Sequence, residues 1–318
     1  MKITVPKSFG IDHVDEFLQE AQVIFRIENK LIPGFIFDLS KIKQVGLIGQ
    51  LLIYKFISYT AENHCFLSPT ILSSEEQWIE KKLKEYGFYD IIMAYVNKDN
   101  RKKILDSYKG LLFKELTKEK TRVLIAPQRL LRDEADIRDL LEQKLFSDLY
   151  DFYGRNTASK IATTCIGELL TNFWAHATID SGTVMVAMGN KYFIEICIAD
   201  NGLGIVSTLA KADAKYSKMS FSVVLEKALE KGVTSKPKTS HMGLGLFLIK
   251  EIVKANNGRM LIFTEGVYAD IRPKKVHIGP TGYWKGTIVY IRLDFSKPTS
   301  LEEIPSLQPS GRLCINWR

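Results

Sequence analysis

Glu168 and Asn172 stand four residues apart in the stretch 161–177, IATTCIGELLTNFWAHA. On a helix that spacing projects both side chains from one face, a turn apart. Ile161, Cys165, Ile166, Leu169, Leu170 and Phe173 supply the apolar positions that would hold such a helix against a sheet. The pair suits chemistry at a phosphate. An Asn oxygen is a hard, neutral ligand of the kind Mg²⁺ accepts beside water and phosphate oxygens. A Glu can take the proton from a water or hydroxyl attacking a γ-phosphate. The pair alone does not identify a site, because the same spacing occurs on many solvated helices.

Two glycine-bearing stretches give it a context. Residues 192–204, YFIEICIADNGLG, read as an apolar strand that ends in Asp200, followed by Gly202 and Gly204. An Asp at a strand end offers an acceptor to an exocyclic amino group, which would select adenine over guanine. Gly202 and Gly204 are expected to turn the backbone through positive φ and let it approach a ligand. Residues 243–258, GLGLFLIKEIVKANNG, read as Gly243, Leu244, Gly245 and Leu246 opening a helix that stops at Asn256, Asn257 and Gly258. The N–H groups and the positive dipole end at such a start favour phosphate. Neither glycine pair extends to GxGxxG, and no GxxxxGK[ST] is present, which argues against Rossmann and P-loop readings.

Helix with Glu and Asn, strand into Asp-x-Gly-x-Gly, then Gly-x-Gly into a helix: this order resembles the GHKL family of ATP-binding domains. Residues 167–177 resemble its N box, 200–204 its first glycine box, 243–246 its second, and Gly286-Thr287 in WKGTIVYIRL its closing Gly-Thr. The resemblance implies ATP held with Mg²⁺ between the helix and a sheet. Asn172 would then sit on the metal, Glu168 would be the base, and Asp200 with Thr287 would meet adenine. Gly202, Gly204, Gly243, Leu244, Gly245 and Leu246 would surround the phosphates. Residues 205–242 are then the nucleotide lid, with a helix MSFSVVLEKALEKG, a hinge at Gly232 and a phosphate donor at Lys238. His176 is read as closing the helix C-terminus rather than as a phosphate contact. Phe173 and Trp174 are read as packing.

The elements that must position these residues divide the chain. Residues 1–95 alternate helix and strand (DHVDEFLQEAQ, GFIFDLS, GLIGQLLIYKFISYTAEN, CFLSP, QWIEKKLKEYGFYDII) and resemble a STAS domain, with FDLSKIKQVGLIGQLL carrying the likeness. The family's phosphorylatable Ser before the helix-start Gly is replaced by Ile48 before Gly49, so a docking or dimerisation module is expected instead. Residues 96–120 read as a helical connector, 121–296 as the ATP-binding domain and 297–318 as an irregular tail. The expected fold is thus two α/β and α+β units: a STAS-like α/β domain, then a GHKL (Bergerat) sandwich whose mixed sheet carries helices on one face.

At 318 residues, with 46% hydrophobic and 25% charged residues, the chain has the make-up of a globular protein large enough for two cores. It has no apolar run of membrane-spanning length and no signal-peptide core at the N-terminus, so a cytoplasmic protein without a membrane partner is expected. Cys65, Cys165, Cys197 and Cys314 are scattered and read as reduced structural thiols. The net charge of +8 gathers at 98–103 and 272–275 without interleaved aromatics, which does not favour nucleic acid. Two functions fit: slow ATP hydrolysis or Ser/Thr phosphorylation of a partner protein of the STAS or sigma-factor class, or an ATP-responsive switch that binds a partner without turnover. A sensor histidine kinase is disfavoured, because no helical block carries a phospho-accepting His followed by an acidic residue.

Overall fold

The helix LIGQLLIYKFISYTAEN has no polar face, and a helix apolar all round must be covered all round. The computed structural model, which describes residues 1–27, 31–32, 34–66, 69–85, 123–130, 145–176, 183–235 and 243–308, places it between two sheets. The outer one is parallel, with β1 (Lys2–Thr4), β4 (Phe35–Asp38) and β7 (Pro69–Leu72) in that order. Two short parallel pairs flank it, β2 (Ser8–Phe9) with β5 (Gln44–Val45) and β3 (Leu31–Ile32) with β6 (Cys65–Phe66). Parallel neighbours need crossovers, which α1 (Val14–Arg26) and α2 (Leu47–Asn63) supply; α3 (Gln77–Glu85) follows. Every residue of α2 from Leu47 to Thr60 is buried. The Phe56 ring lies 5.7 Å from Phe37 of β4 and 5.6 Å from Phe17 of α1.

The opposite side of α2 meets a seven-stranded sheet. Its strands are β8 (Val123–Leu130), β9 (Thr183–Asn190), β10 (Phe193–Ala199), β11 (Arg259–Thr264), β12 (Val267–Arg272), β13 (Lys275–Pro280) and β14 (Thr287–Asp294), ordered β13-β12-β11-β14-β10-β9-β8. Side chains alternate between its faces. Ile194, Ile196 and Ile198 of β10 point into one core, and Cys197 and Ala199 into the other with α1 and α2. The first core is closed by a helical segment over 145–153 (α4), α5 (Thr157–His176), α6 (Ile205–Ala212), α7 (Ala214–Ser217), α8 (Phe221–Ala228) and α9 (Gly245–Ala255). The chain after β14 is tied to α9: Thr299 N–H donates to Asn256 Oδ1 (2.8 Å), Ser306 Oγ donates to Glu251 (2.6 Å), and Ile304 is buried.

The molecule is therefore α/β with both parallel and antiparallel sheets, but it corrects two expectations. Among the described residues the large sheet is antiparallel at every pairing, not mixed, and parallel pairing is confined to the N-terminal layer. It is also covered on both faces, not one, because its second face carries apolar side chains too, among them Val184, Val186, Leu261, Phe263 and Tyr290. Within 267–285, read as an insertion, the hairpin β12–β13 extends the sheet. The expected connector 96–120, residues 86–92 of the segment read as a helix and the end of the tail lie outside the described residues. No helix among the described residues is long and apolar enough to cross a membrane. Cys165 and Cys197 are free and buried.

Candidate functional site

Asn156 starts α5 as its cap: its Oδ1 accepts from Ser159 N–H (3.2 Å), satisfying one of the donors a helix start leaves open. The apolar stripe of α5 then lies on the sheet, with Ile161, Cys165, Ile166 and Leu170 buried. Its remaining edge turns Glu168, Asn172 and His176, spaced by four, into a cleft of about 330 Å³. The sheet side of the cleft is made by Ile198, Asp200, Thr287 and Val289, and the far wall by Gly204 and Gly243–Leu246.

One end of the cleft is built where α9 begins. A Cβ on Gly245 would stand 2.7 Å from Glu168 Oε2, 3.3 Å from Asn172 Nδ2 and 3.5 Å from Asn172 Oδ1, so glycine lets the helix start approach both side chains without moving the Glu168 carboxyl. Asn172 Nδ2 is buried with no hydrogen-bond partner. A buried donor without an acceptor costs free energy, and Asn172 is one of the residues that line the cleft. No side chain caps α9. Burial pushes the Glu168 carboxyl above the usual range. The start of α6 differs. Glu265, on the β11–β12 turn at φ 51°, reaches across so that its carboxylate accepts from Ser207 N–H (3.1 Å) and from Ser207 Oγ, and it packs against Gly204. That helix start is already served by the Glu265 side chain, whereas the α9 start at the cleft has no side-chain cap.

The other end is built around Asp200. Its N–H donates to Thr287 O (2.9 Å), and its Oδ1 accepts from Gly202 N–H (2.7 Å). Its carbonyl accepts from the Trp284 indole N–H (2.9 Å). Gly286 has φ 94°, and a Cβ there would lie 2.6 Å from Asp200 Oδ1, so this glycine is required both by conformation and by space.

The structure thus gathers Glu168, Asn172, Asp200, Gly204, Gly243, Leu244, Gly245, Leu246 and Thr287 around one cleft. Gly202 does not line it; it orients Asp200 from behind, and it is not among the glycines with positive φ, contrary to expectation. Lys238 lies outside the described residues, as does the rest of 236–242. Gly232 N–H donates to Gly243 O (3.1 Å), and both glycines have positive φ. His176, read as closing the helix, is indeed the last residue of α5, and it also lines the cleft, where its Nδ1 shares a hydrogen bond with Ser235 Oγ (3.2 Å). Its spacing of four from Asn172 was the available signal. Glu265 and Trp284 left no such signal, because both act across long stretches of chain.

No lysine or arginine is among the described residues lining the cleft, while two carboxylates are. Nor do any three His, Cys, Asp or Glu side chains cluster as a metal site among the described residues. A polyanion bound beside Glu168 would need a divalent cation, and that cation would need the polyanion's own oxygens as ligands. Asn172 fits this arrangement as a single hard protein donor. Compared with known proteins, the chain matches no family model and no curated sequence.

Proposed function

We propose that the cleft binds Mg²⁺–ATP and that Glu168 directs transfer of its terminal phosphoryl group to water or to a Ser/Thr hydroxyl of a partner protein. The observation that carries this reading is the convergence of Glu168 and Asn172 on the uncapped start of α9, with the Asn172 donor lacking an acceptor. Bound Mg²⁺ would neutralise phosphate charge. Asn172 would hold one position on that ion. The N–H groups at the start of α9 would receive phosphate oxygens. Asp200, held through its backbone and Oδ1, would accept from the adenine amino group beside Thr287. The raised proton affinity of Glu168 suits a general base working near neutral pH. The second reading is a binding-only, ATP-responsive switch that docks a partner through the N-terminal STAS-like domain; the face of that domain packed on this chain's own sheet is closed to such a partner.

Calorimetric titration with Mg²⁺–ATP should show saturable binding, and EDTA should weaken it. No saturation at millimolar nucleotide would overturn the reading. Asp200→Asn presents an amide where the carboxylate accepted, and should weaken ATP roughly ten- to a hundredfold. Gly245→Ala inserts a methyl against Glu168 and Asn172, and should lower turnover about a hundredfold by displacing the reacting groups. Thermal unfolding near the wild-type temperature would show that the loss is local.

A further inference from the structure

The N-terminal layer does more than cover the sheet. Residues 281–287 run from α1 to the cleft, and each step of the run is fixed. At one end Asp15 Oδ1 of α1 accepts from Thr281 Oγ1 (2.6 Å) and from Gly282 N–H (2.8 Å). Gly282 lies backbone to backbone on α1, since a Cβ there would strike the Leu18 main chain. Next comes Trp284, fully buried, its ring edge-on to Phe25 of α1 at 5.2 Å. Its indole N–H holds the Asp200 carbonyl at 2.9 Å, while its own carbonyl accepts from Glu265 N–H (3.1 Å). Lys285 O then accepts from Asn201 Nδ2 (2.9 Å), and Thr287 O from Asp200 N–H (2.9 Å). Both backbone polar groups of Asp200 are therefore held by this one segment, and the segment is anchored on α1.

We propose that α1, acting through Asp15 and Trp284, positions Asp200 and so sets how tightly the cleft holds the base of its nucleotide. This rests on the ATP-binding reading above and adds to it that the N-terminal layer is a working part of the site. Trp284 and Asp15 touch no ligand; they are positioning residues. The phosphate end, made by α5 and α9, has no share in the run. Weakening the run separates the two ends of the ligand.

The test compares ATP with inorganic triphosphate, both with Mg²⁺, on full-length Asp15→Ala, Asp15→Asn and Trp284→Phe. Asp15→Ala removes the acceptor and should weaken ATP about fivefold, the size of one net hydrogen bond. Triphosphate affinity should stay at the wild-type value. Asp15→Asn keeps an accepting oxygen and should restore ATP binding, which a merely structural charge effect would not do. Trp284→Phe keeps the ring but loses the N–H, and should shift ATP alone by about tenfold. Equal weakening of both ligands would overturn the inference, as would unchanged ATP affinity in Asp15→Ala and Trp284→Phe. A wild-type protein that binds neither ligand removes the ATP reading and this inference together; one that binds while the variants match it removes the inference alone.

Discussion

Glu168→Gln should keep ATP binding near the wild-type level while turnover falls on the order of 10²–10⁴-fold, the usual contribution of a positioned base. The substitution preserves shape and the cleft surface but leaves no group to take a proton. Burial holds the Glu168 carboxyl above the ordinary range, so the acid limb of the wild-type pH–rate profile should sit above a solvated glutamate and vanish in the variant. Stability should move the other way. A carboxyl whose folded proton affinity exceeds its unfolded one contributes most below the unfolded pKa, and that contribution is lost as pH rises through the folded value. Above the folded pKa the ionised side chain therefore costs stability, and there Glu168→Gln should unfold at the wild-type temperature or slightly higher. Phosphate release measured across pH, beside thermal scans of both proteins, tests this. Retained turnover in the variant would exclude Glu168 as the base.

Phe56→Ala should have the largest effect on stability, about 3–5 kcal/mol, as expected for emptying a closed aromatic site. The ring is fully buried on α2 and meets Phe17, Phe25 and Phe37. Since α2 is covered by β4 on one side and by β9 and β10 on the other, the cavity weakens both layers at once. Denaturant unfolding of wild type and variant should each follow one transition, shifted together by fluorescence and circular dichroism. Two separated transitions would mean that the N-terminal layer folds apart from the large sheet. The coupling also predicts that ATP, by binding only the folded state, raises the unfolding midpoint seen from either layer.

Much of the candidate site was legible in the sequence because its rules are local. The spacing of Glu168, Asn172 and His176 follows from the helical period. The alternation in β10 ending at Asp200 follows from the pleat, and the stop after α9 from Asn257 and Gly258. Asn257 does take positive φ there (46°). His176 does end α5 as its place in the sequence implied, but its sequence neighbours could not reveal that Ser235, far along the chain, would come to meet it. Gly202 and Gly204 looked alike, yet only Gly204, at the start of α6, turns through positive φ, and a Cβ there would also meet the Glu265 carboxylate.

By itself the sequence determined which residues share a helix face, where strands end, and that α2 had no polar side to show water. Only the tertiary structure decided what fills the space around them. It put a second layer on the large sheet, made that sheet antiparallel throughout, closed one helix start with Glu265 and left the other uncapped. It also joined α1 to Asp200 through Trp284. The physical reason is range: periodicity and backbone preference act over a few residues, whereas burial and hydrogen-bond satisfaction are met by whichever groups packing brings together, however distant in the chain.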